Sequence, residues 1–341
     1  MSVAHLKGYR QLEGVEVVAV CNPSGRRLDG DLSDVEGNVG DQQPIRLDMT
    51  RVTPYQDFDA FLRHPGLQVV DICTPTRTHV DLSSRALRAG YHVLCEKPLA
   101  RFPEEVRQLS QEVGKAKGIF MPAMCLRFWP EWAWLKEAID SLRYGEVRAA
   151  QFRRIAEPPA WGQANYFKGD ESGGALLDLH VHDVDFIHYC FGKPIRVYSQ
   201  GFSAVSGAVD HVTTQYTVSS GACVSAEGSW AMTPGFGFNM AYTVIFEKAT
   251  VVYDLSRGDE SLVLYPGDDG REVIRCQGKD GYAGQLEYFL ECIRKDVPPS
   301  KVSIEDGLAV SETCFAEEQS IKSDQVVNVS RREVTPTPIE R

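Results

Sequence analysis

Three short stretches place titratable side chains where they could do chemistry. SGGALLDLHVHDVDFIHYCFG (172–192) opens on two glycines and continues with helical spacing. Asp178 and His182 stand four apart and so share one helical face. An imidazole beside a carboxylate that orients it is the usual general acid/base pair near neutral pH. The alternative is a polar pair on an exposed face. Five acidic or imidazole groups between 178 and 185, set among Leu177, Leu179, Val181 and Val184, argue against it. HVLCEKPLA (92–100) is an apolar run that delivers Glu96, Lys97 and Pro98 to its end. A lysine held in a cleft can trade protons, whereas on a surface the Glu-Lys pair would be a solvated ion pair. Pro98 demands a sharp turn, and the bond before it can be cis. DICTPTRTHVDL (71–82) ends a strand at Thr74-Pro75 and begins a helix near His79. Thr74 offers a hydroxyl and the helix start offers free N–H groups for an anion, unless this is an ordinary strand-to-helix turn.

DLHVH (178–182) has a rival reading, because it is similar to the DxHxH motif with which metal-dependent amidohydrolases hold zinc. That reading needs further histidines from later barrel strands. Downstream only His188 and His211 remain, and the sequence there is not strand–helix repeats. The expectation is therefore no metal site. The nine cysteines contain no CxxC pair and sit mostly in apolar surroundings, so they read as buried reduced thiols.

The elements that must carry these residues fall into two sets. In the first, AHLKGYRQL (4–12) predicts a helix, VEVVAV (15–20) a strand buried on both faces, VVDICT (69–74) and YHVLCE (91–96) two more strands, and DLSSRALRAG (81–90) and 102–118 helices. The repeated strand–helix order predicts a parallel sheet with right-handed crossovers, interrupted by a loop at 25–51. In the second set, alternating runs at 147–156, 195–205, 211–218, 223–230, 241–254 and 261–266 predict a large, mostly antiparallel sheet, followed by helices at 283–295 and 304–323. The domain boundary is expected near residue 122, giving an α/β domain at 1–122, an α+β domain at 123–330 and a loose tail at 331–341. The helices of the second half look too few to cover so wide a sheet. Val197, Tyr198, Tyr216, Val244, Phe246 and Val252 are expected to leave an apolar face for a homodimer or homotetramer.

The chain has 341 residues and a net charge of −11, with no Lys/Arg cluster, which argues against nucleic acid as partner. Its longest apolar runs are far too short to cross a bilayer, and its start lacks a signal-peptide pattern, so a soluble cytoplasmic protein is expected.

TPTRTH (74–79), EKPLA (96–100) and SGGALLDLHVHDVD (172–185), in that order and spacing, resemble the Gfo/Idh/MocA family of NAD(P)-dependent oxidoreductases. The resemblance runs from AHLKGY (4–9) to the helix at 304–323. It implies a Rossmann-like dinucleotide-binding domain followed by a substrate domain with a large, mostly antiparallel sheet. It also implies hydride transfer between NAD(P) and a sugar, inositol or related polyol. By motif, Lys97, Asp178 and His182 fall on the family's catalytic positions. Thr74, Pro75, His79, Glu96 and Lys97 fall on cofactor-contacting ones. MCLRFWPEWAWLKEAI (124–139) and AEPPAWGQANYFKGD (156–170) resemble pocket-lining segments, with Arg127, Trp129, Trp161, Tyr166 and Lys168 as candidate substrate contacts.

Two departures qualify the resemblance. The family opens with a strand and a GxGxxG turn, whereas MSVAHLKGY aligns with the helix just after that turn, so the first strand and the glycine turn are expected to be missing. A truncated sequence is the favoured explanation. The alternative is a non-catalytic sugar-binding or regulatory homologue that has lost its dinucleotide site. After VEVVAV, where an acidic residue would accept the ribose hydroxyls of NAD, the chain has Asn22, followed by Ser24, Arg26 and Arg27. A neutral residue with nearby arginines suits a 2′-phosphate, and the reading leans to NADP over NAD.

Overall fold

The computed structural model describes residues 1–33, 35, 43–159, 166–267 and 270–329. Its first half contains α1 (Ser2–Tyr9), β1 (Ala19–Cys21), β2 (Thr53–Tyr55), α2 (Phe58–Leu62), β3 (Val69–Ile72), α3 (His79–Arg88), β4 (His92–Cys95), α4 (Pro103–Val113) and β5 (Phe120–Pro122). β3, β4 and β5 form a parallel sheet with β4 in the middle. Val93, Leu94 and Cys95 are fully buried, as a parallel strand covered on both faces requires. Ile72 is level with Cys95, so the chain leaves both strands at the same rim. There the segments from Cys73 and from Glu96 emerge side by side.

The strand expected at 15–20 is shorter and less buried than the sequence suggests. β1 begins at Ala19, its three residues are all partly exposed, and among the described residues it is hydrogen-bonded only to β2. The apolar run belongs to a strand with one open edge. Its side chains still pack with β3 and β4, because Ala19 and Cys21 join the cluster that contains Val70, Ile72 and Val93.

The second half contains α5 (Pro130–Asp140), β6 (Val147–Ala156), the single-turn α6 (Gly169–Ser172) and α7 (Val181–Phe191), then β7 (Arg196–Phe202), β8 (His211–Thr217) and β9 (Cys223–Ser229). There follow β10 (Phe238–Phe246), β11 (Thr250–Asp254), β12 (Leu262–Tyr265), β13 (Glu272–Val273), α8 (Gly281–Lys295), α9 (Ile304–Ser323) and β14 (Val327–Asn328). The nine strands lie in the order β13-β12-β11-β10-β6-β9-β8-β7-β14. Every neighbouring pair is antiparallel except β6 with β9. The run 241–254, which reads as one stretch, is a hairpin turning between Phe246 and Thr250.

One face of this sheet packs on helices through Trp132 and Leu135 of α5, Phe186 and Ile187 of α7 and Ala316 of α9. Trp132 meets Phe186 edge-on at 4.8 Å and Tyr242 at 5.1 Å. The expected uncovered apolar face is therefore corrected. Val197, Tyr216, Val244 and Phe246 are core residues beneath these helices, and Tyr198 and Val252 are only partly exposed. Three helices cover more sheet than their number suggests, because α9 is 20 residues long. α9 also reaches the first half, where Arg101 pairs with both oxygens of Glu318 at 3.0 Å.

Candidate active site

The rim at the ends of β3 and β4 is fixed by one histidine. His79 opens α3, is buried, and has Nδ1 2.8 Å from the Pro98 carbonyl and Nε2 2.8 Å from the Thr74 carbonyl. Burial holds its pKa below the usual imidazole value. The Lys97–Pro98 bond is cis. Both ring nitrogens of His79 thus face backbone carbonyls of the two loops, and neither is open to a cofactor, unlike the contact role the resemblance implies. Thr74 remains partly exposed on the rim, its hydroxyl 2.7 Å from that of Thr78, and Pro75 is exposed.

Beneath Glu96 lies a compact charge cluster. His5 of α1 has Nε2 3.0 Å from Glu96 Oε1 and Nδ1 2.8 Å from Asp71 Oδ2. Burial opposes a charge on His5, but Asp71 and its hydrogen bond outweigh burial and hold the imidazole protonated well above its usual range. Burial likewise opposes the Glu96 carboxylate, and His5 and Lys97 keep it ionised. His5, Asp71 and Cys73 offer three ligand atoms within 4.8 Å of one another. A protonated His5 between two carboxylates already accounts for them, and burial pushes the Cys73 thiol up to about 11, so the donor set suits an ion cluster better than a metal.

Lys97 reaches from this rim into the second half. Its Nζ donates to the Asp178 carbonyl at 2.7 Å and to Asp178 Oδ1 at 3.0 Å. An ammonium has three N–H groups, which leaves one directed elsewhere. Asp178 lies in a π-helical turn, Leu176–His180, that precedes α7. Such wide turns are rare and concentrate at functional sites. The chain enters it through Gly173 and Gly174, both at positive φ; a Cβ on Gly174 would stand 2.5 Å from the Val209 carbonyl. That carbonyl belongs to a loop ordered by the buried Asp210, whose Oδ2 accepts from the amides of Ala204, Val205 and Ser206 at 2.7–2.8 Å.

His182 opens towards the same space. Burial, then the charges of Lys97 and Arg154, hold its pKa well below the ordinary 6.5, so it is neutral. Its Nδ1 is buried and has no hydrogen-bond partner among the described residues. Tyr166 stands on Trp230 edge-on at 5.6 Å, and the Asp178 charge, reinforced by burial, pushes its pKa up.

The remaining predicted residues divide. Lys168 is exposed at the margin, 3.9 Å from Glu171. Trp161 lies outside the described residues. Trp129 packs on Tyr282 edge-on at 5.6 Å. Arg127 is only 2 % exposed: it donates to Asp185 through Nε and Nη2, at 2.9 and 2.6 Å, and to the Lys301 carbonyl at 2.6 Å. Its donors are spent on holding α7 and the start of α9, which corrects the expected substrate contact. Asn22 forms the turn after β1, accepting from the Ser24 amide and hydroxyl and donating to the Arg26 carbonyl at 2.8 Å. Ser24 is exposed and Arg27 sits at φ 58 on the same turn.

Two residues around the site escaped the sequence reading. Arg154 on β6 is buried, donates from Nε to Asp183 at 2.9 Å, and lies over Trp132. Tyr282 opens α8, and burial, then the charges of Cys125 and Glu96, push its pKa up. Only the alternation of β6, which turns Phe152 and Arg154 inwards together, could have signalled Arg154.

These features agree with known proteins. Residues 4–124 match the model of an oxidoreductase family with an NAD-binding Rossmann fold, and residues 132–252 match the GFO/IDH/MocA C-terminal domain. The chain is 26 % identical to scyllo-inositol 2-dehydrogenase (NAD(+)) of Bacillus subtilis, over 74 % of this chain and 77 % of that one. It is 27 % identical to myo-inositol 2-dehydrogenase of Thermotoga maritima, over 80 % and 85 %. In fold it superposes on a levoglucosan dehydrogenase solved with NADH at a TM-score of 0.78, with 20 % identity, covering 97 % of this chain and 95 % of that one. With both halves matched, the parallel rim carrying Lys97 and the glycine-led segment carrying Asp178 and His182 belong to one design, and the chain is a member of the Gfo/Idh/MocA oxidoreductase family.

Proposed function

We propose that the chain transfers hydride between a nicotinamide dinucleotide and a carbinol carbon of an inositol, sugar or related polyol. The observation that carries this reading is the neutral His182 beside the Lys97–Asp178 pair. In the oxidising direction His182 takes the hydroxyl proton, and Lys97, held by two contacts to Asp178, directs its remaining N–H at the reacting oxygen. In the reducing direction the same groups return the proton. When bound, the nicotinamide supplies the hydride acceptor or donor. Thr74, Pro75, Glu96 and Lys97 at the rim, and Asn22, Ser24 and Arg27 after β1, are the residues we assign to holding the dinucleotide. The partly exposed Thr74 hydroxyl and the turn around Asn22 fit that role. Asn22 presents no carboxylate to repel a 2′-phosphate, so NADP should bind at least as well as NAD. Tyr166 and Tyr282 are the substrate contacts we assign, with Lys168 at the entrance.

The dinucleotide-binding part ends near residue 122, a division supported by the matched segments, of which the first stops at residue 124 and the second starts at 132. The sheet face opposite the helices carries Ala149, Gln151, Ser225, Ala241, Thr243 and Ile245, aligned across three strands of the sheet's centre, β9, β6 and β10. It is the surface we assign to homo-oligomer formation. A solution mass near 37.9 kDa would overturn that assignment. No helix among the described residues is long and apolar enough to cross a membrane. The test of function is nicotinamide reduction measured against a panel of inositols, aldoses and anhydrosugars with each cofactor. Turnover with at least one polyol is expected. Cofactor binding without turnover on any of them would overturn the reading.

A further inference from the structure

His180 lies between Asp178 and His182 and belongs to neither side of the proposed chemistry. Its imidazole is completely buried against β9, where a Cβ on Gly228 would stand 2.6 Å from His180 Cβ. Nε2 is 3.0 Å from the Tyr216 hydroxyl on β8 and 3.2 Å from Glu317 Oε1 on α9. Tyr216 donates to the same Glu317 oxygen at 2.5 Å. His180 Nδ1 and Glu317 Oε2 are buried without partners among the described residues. A buried ion pair with two unsatisfied atoms is a poor source of stability compared with an apolar contact, and its best-attested use is to fix one arrangement against others.

The arrangement at stake is the π turn. Residues two apart on a helix point to roughly opposite sides, so a His180 drawn towards the sheet turns Asp178 and His182 together towards Lys97. We infer that His180, Glu317 and Tyr216 are positioning residues: a three-element anchor that holds the π turn and thereby aims Asp178 and His182 into the cleft. This inference rests on the hydride-transfer reading for its effect on turnover, though not for its effect on geometry.

The experiment compares Glu317→Gln, His180→Asn and Tyr216→Phe, the last retaining the ring and removing only the hydroxyl. Cofactor-binding stoichiometry counts folded sites, steady-state kinetics reads kcat and KM separately, and nitrogen NMR reads the His182 imidazole. For Glu317→Gln and His180→Asn we expect kcat per folded site to fall about tenfold or more, within what a displacement of about 1 Å can cost, with KM changed less than about threefold. Tyr216→Phe should show a smaller kcat loss of the same kind. The His182 resonances should shift in all three. Wild-type kcat per folded site with unmoved His182 resonances would overturn the anchor, as would a kcat loss wholly explained by fewer folded sites. If the parent protein does not turn over, the hydride-transfer reading has failed, and the His182 resonances alone decide the anchor: a shift supports it and unmoved signals overturn it.

Discussion

Two histidines two residues apart, His180 and His182, have their pKa values pushed in opposite directions. On the sheet side, burial would lower the pKa of His180, but Glu317 and its hydrogen bond outweigh burial and raise it. On the cleft side, burial acts the same way on His182, and Lys97 and Arg154 reinforce it. The residue type is the same, and burial disfavours the charge on both. The sign of the nearest charge decides, as expected when a carboxylate favours an imidazolium and a cation disfavours it. The segment therefore has a structural face, where an imidazole is paired with Glu317, and a chemical face, where the Nδ1 of a neutral imidazole has no hydrogen-bond partner among the described residues.

The largest effects should come from the chemical face. Lys97→Ala and His182→Ala are each expected to lower kcat by about 10² or more, the usual contribution of a positioned acid or base. Stopped-flow or steady-state assays on protein with intact cofactor binding would show it, and near-normal turnover of the His182 variant would remove it from proton transfer. Asp178→Asn should cost less, about tenfold, the worth of one charge-assisted hydrogen bond of roughly 1.5 kcal/mol. The substituted amide still presents an oxygen, and the backbone contact to Lys97 at 2.7 Å is untouched.

The contrast also has a pH signature. His182 acts as a base only when deprotonated, and its pKa lies well below 6.5 in the folded chain. The acid limb of kcat/KM for polyol oxidation should therefore fall below pH 6.5. Removing a cation that depresses this pKa raises it, so in the residual activity of Lys97→Ala the limb should move up towards 6.5. A limb that stays in place would assign it to another group.

How much of this was legible in the sequence depended on reach. The apolar runs at β3 and β4, read with the helix between them, point to a parallel sheet, and the alternation in β8 and β9 points to a half-covered one. β2 was missed because TPY is three residues with a central proline and two exposed positions. β5 was missed because FMP is as short. The π turn was invisible, since its residues keep a helical spacing and only the backbone of Leu176–His180 shows that the turn is widened. Arg127 misled for the same reason. An arginine among aromatic residues reads as a ligand contact, yet its partner Asp185 stands 58 residues away. Charged residues are almost never fully buried unless paired, and Asp185 is the pair that lets Arg127 be buried.

The smallest expected effect is that of removing metal. DLHVH would be a zinc motif only if His180 and His182 turned to one ion, because zinc ligands must converge to within about 2.0–2.3 Å of a common centre. Here Nε2 of His180 is engaged by Glu317 and Tyr216 on the sheet side, while His182 lies in the field of Lys97, a cation that opposes a second one beside it. Of the histidines that follow, His188 has Nε2 2.9 Å from the Thr313 hydroxyl, and His211 is stacked on Phe202 at 4.9 Å at the start of β8. Neither supplies the third ligand. Prolonged chelation should leave both turnover and metal content of the purified protein unchanged. A stoichiometric metal that is lost on His180→Ala, together with activity restored by zinc, would mean that the two histidines share a face after all, and would replace hydride transfer with hydrolysis.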